Sequence, residues 1–190
     1  MTSVISGISK QWTLFLDRDG VINERLVDDY VKRWEDFVFT PGALQSFREF
    51  DAAFGKIVVV TNQQGVGKGL MTEDELNLIH SQMVNAVNRE GGRIDKVYYC
   101  TKLEHERPFC RKPNPGMALQ AKRDFPEIHF KRSVMAGDSL SDLRFGKRLG
   151  MKTVLIAPTN TMARQHPNLT DLWFKNLLEF ADFLKNLPNS

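Results

Sequence analysis

The feature that most constrains this chain is a set of short apolar segments separated by stretches of helical periodicity. They are rich in β-branched or aromatic residues and do not alternate cleanly, which is typical of strands buried on both faces. Strands that alternate with helices predict βαβ units, and therefore an α/β fold with a doubly wound parallel sheet. The predicted strands are Thr13–Asp17, Ile57–Thr61, Lys96–Cys100, Ser133–Gly137 and Thr153–Ala157.

The stretches between these segments carry start and stop signals of helices. The clearest start is a capping box at Thr72 and Glu75, and that helix is expected to end at Gly91–Gly92. The other helical patterns follow Pro41, begin at Asn114–Pro115, and run from about Ser141 to Leu149 and from Asn176 to Leu187.

Length and composition fit one globular domain over residues 1–190. Of the 190 residues, 42% are hydrophobic and 26% are charged, which excludes disorder and leaves enough apolar surface for a full core. The longest apolar stretch, Ile57 to Val60, is too short to cross a membrane, and the N-terminus lacks a signal-peptide pattern. The net charge of +3 gives no argument for a nucleic-acid partner. We therefore expect a cytoplasmic protein without a membrane partner, and a monomer.

Polar residues follow four consecutive predicted strands. Ligands of parallel α/β sheets bind beyond the carboxyl ends of the strands, so these residues are expected to share one site. The strand ends read Asp17-Arg18-Asp19-Gly20, Thr61-Asn62-Gln63-Gln64, Cys100 with the loop to Arg111-Lys112, and Gly137-Asp138-Ser139.

The chemistry of these residues points to phosphoryl transfer. Asp17 and Asp19 are so close in sequence that their carboxylates would repel unless a cation compensated them. Mg²⁺ fits, because it binds one or two carboxylates and keeps positions for water and phosphate, and Asp138 adds another carboxylate. Lys112 supplies a positive charge and Thr61 a hydroxyl, which together with Mg²⁺ can stabilise a transferring phosphoryl group.

The same motifs, in this order on these strands, resemble the haloacid dehalogenase superfamily of aspartate-nucleophile phosphotransferases. The resemblance implies that Asp17 is the nucleophile and that Asp19 acts first as general acid and then as general base. It also implies that Thr61 and Lys112 bind the phosphoryl group. Mg²⁺ would be held by Asp17, Asp138 and the backbone carbonyl of Asp19. An acid at position 19 indicates a phosphatase within this superfamily.

The spacing of the motifs leaves no room for a cap domain, so substrate selection is expected to fall to short loops. The chain is similar to the capless branch that contains heptose bisphosphate phosphatases and histidinol phosphatases. The sequences DRDGVIN, TNQQGVGKG and RKPNPGM favour the heptose bisphosphate enzymes. By that resemblance, substrate contacts come from Asp29, Tyr30, Asn62, Gln63 and Gln64, and Arg111 binds a second phosphate.

The loop before Lys112 departs from this branch, which usually carries a structural zinc there. Only Cys100 and Cys110 of the four expected ligands are present, and His105 would supply at most a third, which does not close a structural zinc site. We therefore expect no structural zinc and two free thiols.

Several alternatives stay open at this point. Histidinol phosphate is one alternative substrate, and the 3′-phosphate of a nucleic-acid end is another, for which Lys32-Arg33-Trp34 would be the contact. A non-catalytic binding domain is disfavoured, because none of the catalytic positions is substituted.

The roles of two further residues stay open. Lys68 is a candidate phosphate contact. Asp142 is either the second acid that this superfamily often has in the pattern GDxxxD, or an acid in the first turn of a helix that the helix dipole favours.

Overall fold

A computed structural model describes residues 7–187 of the chain. Six strands and seven α-helices follow one another within those residues. The strands are β1 (Thr13–Leu16), β2 (Lys56–Asn62), β3 (Lys96–Cys100), β4 (Ser133–Gly137), β5 (Lys152–Ile156) and β6 (Leu172–Phe174). The helices are α1 (Ala43–Ala53), α2 (Gln64–Gly67), α3 (Glu73–Arg89), α4 (Gly116–Asp124), α5 (Leu140–Arg148), α6 (Thr161–Gln165) and α7 (Leu177–Lys185).

All six strands form one parallel sheet in the order β3-β2-β1-β4-β5-β6. The strand order reverses at β1, which lies between β2 and β4. In open α/β sheets the ligand crevice lies at such a switch point, outside the carboxyl ends of the strands. The topology therefore places the residues that follow β1 at the centre of any site. The α/β fold with a parallel sheet, predicted from the sequence, is confirmed.

Two hydrophobic cores cover the two faces of the sheet. Leu14 and Leu16 of β1 belong to the core formed with α1, α3 and α7, whereas Phe15 belongs to the core formed with α4 and α5. Successive residues of a strand point to opposite faces, so a run that is apolar throughout is what a strand covered on both sides requires. This explains why the predicted strands lack alternation.

The predicted elements are present, with ends displaced by one or two residues. The capping box of Thr72 and Glu75 starts α3. In α7, the residues Leu177, Phe180, Ala181 and Leu184 are buried, as its helical periodicity requires.

The sequence did not predict β6, because a three-residue edge strand is too short to show a hydrophobic period. Within residues 7–187, no helix is long and apolar enough to span a bilayer.

Candidate active site

The carboxyl ends of β1 and β2 open into a cavity of about 460 Å³. The cavity forms here because the strands are parallel, so the loop that follows each buried strand begins at the same edge of the sheet. The cavity collects most of the residues that the sequence predicted for the site: Asp17, Asp19, Asp29, Tyr30, Thr61, Asn62, Gln64, Arg111 and Lys112.

Lys112 forms the charged centre of the cavity floor. Its Nζ lies 2.7 Å from Asp17 Oδ1 and 2.6 Å from Asp142 Oδ1, and it donates to the carbonyl oxygen of Val60 at 2.7 Å. The side chains of Lys112, Asp17 and Asp142 are 2%, 8% and 0% exposed, so these charges interact with little screening. Burial alone would lower the pKa of Lys112, but Asp142 and Asp17 raise it. Lys112 therefore holds a fixed positive charge beside Asp17.

The carboxylates around Lys112 outnumber the cations that face them. Burial, and then the charge of Asp142, raises the pKa of Asp17 to about 6. Burial and the charge of Asp17 raise the pKa of Asp138 to about 8. Oxygen atoms of Asp17, Asp138 and Asp142 lie within 4.8 Å of one another. A cluster of hard oxygen donors with too little positive charge fits a divalent cation such as Mg²⁺.

Gly20 permits this cluster to form at the end of β1. Its φ is +87°, and a Cβ there would lie 2.0 Å from Asp138 Oδ2. Any larger residue would push the Asp138 carboxylate away from Asp17.

Asp142 lies in the first turn of a helix and also pairs with Lys112. Its carboxylate accepts from the Ser139 backbone N–H at 3.1 Å and from the Ser139 hydroxyl at 2.6 Å, which completes a capping box at the start of α5. The same carboxylate pairs with Lys112. Asp142 thus ties the start of α5 to the charged centre, and it joins the predicted metal cluster.

The Asp19 carboxylate is held by three other side chains. Arg18 donates to it at 2.8 and 3.0 Å, Asn23 at 2.9 Å and Gln63 at 2.7 Å. Burial alone would raise the pKa of Asp19, but the charge and hydrogen bonds of Arg18 lower it. Asp19 is therefore ionised at neutral pH, and only its backbone carbonyl faces the Asp138 side.

Sequence reasoning missed Arg18 and His80 as site residues. Arg18 is 1% exposed, and its Nη1 lies 3.1 Å from His80 Nε2 of α3. Burial, and then the charge of Arg18, lowers the pKa of His80 to about 3, so the imidazole is neutral. Arg18 has no acceptor atom, which makes Nε2 the acceptor and puts the His80 proton on Nδ1. No local pattern could have found a contact that spans 62 residues of sequence.

Gln63 and Asn62, both predicted to contact substrate, contact neighbouring protein groups. Gln63 is 1% exposed and does not line the cavity; its amide also donates to Thr61 Oγ1 at 2.8 Å. Asn62 accepts from the Lys112 backbone N–H at 3.0 Å and donates to its carbonyl at 3.2 Å. Gln63 therefore orients Asp19 and Thr61, while Asn62, which does line the cavity, anchors the Lys112 backbone.

Tyr30 is held at the cavity edge by α2. Gln64 donates to its hydroxyl at 3.0 Å, and Lys68 Nζ lies 5.2 Å from its ring centroid in a cation–π contact. The ring also packs on Gly65, where a Cβ would come within 3.1 Å of it. Lys68 and Asp29 line the same cavity. The structure thus brings Lys68 and the two predicted substrate-loop residues, Asp29 and Tyr30, to one wall.

Arg111 directly precedes Lys112 in the sequence and lines the same cavity. Its side chain is 13% exposed and contacts Glu104 at 3.3 Å, and Glu104 itself is 76% exposed. Its Nη1 is buried and has no hydrogen-bond partner among the described residues. Because the guanidinium lines the cavity and pairs only with an exposed glutamate, it can bind an anionic ligand there.

The segment Lys32-Arg33-Trp34 does not offer a free basic surface with an aromatic platform. Lys32 pairs with Asp29 at 3.0 Å and Arg33 with Asp36 at 3.3 Å. Trp34 stacks on Phe37 with ring centroids 5.1 Å apart and packs against the core. Trp34 is thus packed on the protein and offers no free aromatic platform, whereas Lys32 and Arg33 stay at the surface.

The prediction of free thiols at Cys100 and Cys110 is wrong. The two residues form a disulfide, with their Cα atoms 5.4 Å apart. Cys100 ends β3, and the following loop returns to that point before it delivers Arg111 and Lys112, which brings the cysteines within disulfide reach. The short separation of Cys100 and Cys110 in the sequence did not indicate that the loop between them turns back on itself. The expected lack of a structural zinc remains a prediction.

Fold and site together define a hydrolase of the haloacid dehalogenase class. A family model described as HAD-hydrolase-like matches residues 109–179, which include Lys112, Asp138 and Asp142. Over 171 residues the chain is 39% identical to a D-glycero-alpha-D-manno-heptose-1,7-bisphosphate 7-phosphatase of Mycobacterium bovis, covering 90% of each protein. The chain belongs to the family of D,D-heptose 1,7-bisphosphate phosphatases, and it is a phosphatase.

Further relatives agree with this assignment. A D-glycero-beta-D-manno-heptose-1,7-bisphosphate 7-phosphatase of Helicobacter pylori is 32% identical, with 94% of this chain and 99% of that protein covered. Among solved structures, the D,D-heptose 1,7-bisphosphate phosphatase of B. bronchiseptica, complexed with magnesium and phosphate, superposes with a TM-score of 0.79. It is 29% identical, and the match covers 92% of this chain and 98% of that one.

Proposed function

We propose that this enzyme removes the 7-phosphate of D-glycero-D-manno-heptose 1,7-bisphosphate through an aspartyl-phosphate at Asp17. The observation that carries the proposal is the buried Lys112–Asp17 pair, 2.7 Å apart, at the floor of a cavity whose edge holds Arg111. The floor provides a nucleophile for one phosphate, and the edge provides a cation for the other.

In the first step an oxygen of Asp17 attacks phosphorus, and the bond from phosphorus to the sugar oxygen breaks. Asp19 gives its proton to that leaving oxygen, so the sugar departs as an alcohol. Asp19 is ionised beside Arg18, and an arriving phosphate dianion favours its protonation because nearby negative charge raises the pKa of a carboxyl. In the second step Asp19 takes a proton from water, which attacks the aspartyl-phosphate and releases phosphate and free Asp17.

Lys112 and Thr61 act on the charge of the transferring group. Lys112 stabilises both the Asp17 carboxylate and the phosphoryl oxygens, and Thr61 donates its hydroxyl from the end of β2. The residues that hold Thr61 and Lys112 in place are Gln63 and Asn62. We assign these two amides a positioning role.

The donor set fits Mg²⁺, held by Asp17, Asp138 and the backbone carbonyl of Asp19. The raised pKa values of Asp17 and Asp138 support a bound cation, because such a charge would relieve their repulsion. Mg²⁺ there would neutralise phosphoryl charge. The solved relative complexed with magnesium and phosphate is consistent with this proposal.

Substrate selection rests on Arg111, Asp29, Tyr30 and Gln64 in a single capless domain. Arg111, which lines the cavity, would bind the second phosphate and give up its contact with the exposed Glu104. A bidentate guanidinium suits this ligand better than a lysine. The wall formed by Asp29 and Tyr30 would contact the sugar. The monomeric state and the cytoplasmic location stay predictions.

The decisive experiment compares kcat/KM for the alpha and beta anomers of the heptose bisphosphate, histidinol phosphate and a 3′-phosphorylated oligonucleotide. We expect a heptose bisphosphate to be preferred by at least about tenfold, which is about 1.4 kcal/mol of transition-state discrimination. A comparable preference for histidinol phosphate or the oligonucleotide would overturn the proposed substrate, while leaving the phosphatase chemistry intact. The ratio between the anomers assigns the sugar configuration.

A further inference from the structure

Arg25 makes two contacts that none of the sequence motifs accounts for. Its Nη2 donates to Asp138 Oδ1 at 2.9 Å and to the backbone carbonyl oxygen of Asp19 at 3.2 Å. Asp138 and the Asp19 carbonyl are two of the three groups that the proposed function assigns to Mg²⁺. One nitrogen atom thus lies in contact with both of these oxygens.

Arg25 and Mg²⁺ would use the same oxygen acceptors. Mg²⁺ binds its oxygen ligands at about 2.0–2.1 Å, so an ion held by Asp138 and the Asp19 carbonyl would lie close to the Arg25 nitrogen, which contacts both oxygens. The two cations would also repel each other. The guanidinium therefore opposes the binding of Mg²⁺ to these oxygens.

Local structure explains why Arg25 reaches this point. Gly20 leaves space beside Asp138, and a Cβ on Gly20 would lie 3.6 Å from Arg25 Nε. The Arg25 side chain is 52% exposed and also lines the cavity, so it is free to turn away without disturbing the core. Lys112, by contrast, is buried between two carboxylates and keeps its place.

We propose that Arg25 competes with Mg²⁺ for Asp138 and the Asp19 carbonyl, and so weakens the metal affinity of the enzyme. The inference rests on the proposed function, since it requires that these groups hold Mg²⁺. Metal binding then includes the displacement of the guanidinium into the cavity. The residue sets the Mg²⁺ concentration at which the site fills.

The test measures Mg²⁺ binding to the free protein by isothermal titration calorimetry, without substrate. The variant Arg25→Gln removes the charge and keeps an amide, and it is compared with the wild-type protein. A matched control is Arg48→Gln, which removes the same charge from an exposed residue that pairs with Glu90. Asp138→Asn serves as the variant in which the metal site itself is damaged.

We expect Arg25→Gln to bind Mg²⁺ about three- to tenfold more tightly than wild type, because a half-exposed ion pair and one nearby positive charge are removed. Arg48→Gln should match wild type, and Asp138→Asn should bind more weakly. If Arg25→Gln gains less than twofold, or binds more weakly, while Asp138→Asn loses affinity, the metal site stands and the competition is refuted. If wild type and Arg25→Gln both fail to bind Mg²⁺, the proposed metal site is wrong and the inference falls with it.

Discussion

The floor and the rim of the cavity are held in place by different physics. The floor, which we define as Asp17, Lys112 and Asp142, is almost fully buried, and its charges touch one another at 2.6–2.7 Å. The rim, which we define as Tyr30, Lys68 and Arg111, is held by a cation–π contact, one amide donor and one exposed glutamate. The floor is fixed by desolvated charge, whereas the rim is fixed by contacts that water screens.

This difference separates chemistry from selection. Removing one partner of a buried ion pair leaves the other charge uncompensated, so floor substitutions should lower the free energy of unfolding as well as turnover. Rim contacts contribute little to stability, and rim substitutions should change the choice of substrate while the protein stays folded. Variants of the floor and the rim test this separation.

The largest expected effect is that of Asp17→Asn. An amide cannot form the aspartyl-phosphate, so kcat should fall by more than about 10⁴-fold, as for the loss of a nucleophile in other enzymes. Circular dichroism should show that the variant stays folded. The matched variant Asp29→Asn, in the cavity wall next to Tyr30 of the rim, should keep kcat within about tenfold. Near-normal turnover in Asp17→Asn would refute the nucleophile, and an equal loss in Asp29→Asn would break the separation.

Lys112→Met should lower the free energy of unfolding by about 3–5 kcal/mol and remove most activity. The cause is the uncompensated charge left on Asp17 and Asp142. Urea unfolding measures the stability, and the matched control is Lys68→Met at the exposed rim, which should change it by less than about 1 kcal/mol. If the two lysine variants were equally stable, burial would not distinguish floor from rim.

Arg111→Ala should raise KM for the heptose bisphosphate by about 10- to 100-fold, because a charge-assisted hydrogen bond to phosphate is worth about 1.5–3 kcal/mol. KM for the corresponding 7-monophosphate should stay unchanged, since it lacks the second phosphate. Arg107→Ala, in the same loop and exposed, is the control. Equal losses on both substrates would show that Arg111 acts on the reacting phosphate and belongs with the floor.

The smallest effect concerns the pH dependence of stability in EDTA. Folding raises the pKa of Asp138 to about 8, so the folded protein binds that proton more tightly than the unfolded chain, and stability falls as pH rises toward 8. Asp17 acts in the same direction below about pH 6, and His80, with its pKa lowered to about 3, opposes both below 6.5. The window from pH 6.5 to 8 therefore isolates Asp138.

In that window we expect the free energy of unfolding to drop by about 1–2 kcal/mol, measured by urea titration. Asp138→Asn should remove the drop, because its amide does not titrate. Saturating Mg²⁺ should also remove it. A pH-independent stability in EDTA would mean that Asp138 is already compensated, with Arg25 as the nearest cation.

The sequence predicted the strands well because their burial is a local property. A segment covered on both faces is apolar over most of its length, and β1, β2, β4 and β5 show this in their own residues, whereas β3 at the sheet edge is only partly buried. The prediction failed for β6, a short edge strand whose pairing with β5 depends on what lies beside it. It also failed for Cys100 and Cys110, whose bond depends on the path of the loop between them.

The amino-acid sequence by itself determined that Asp17, Thr61, Lys112 and Asp138 would meet, because parallel strands bring their carboxyl ends to one edge. Only the tertiary structure decided how these residues are tied together. It placed Lys112 between two carboxylates, buried Gln63 behind Asp19, and brought Arg25 to Asp138 across 113 residues. The physical reason is that such contacts depend on side-chain distances between separate loops, which no spacing within one segment encodes.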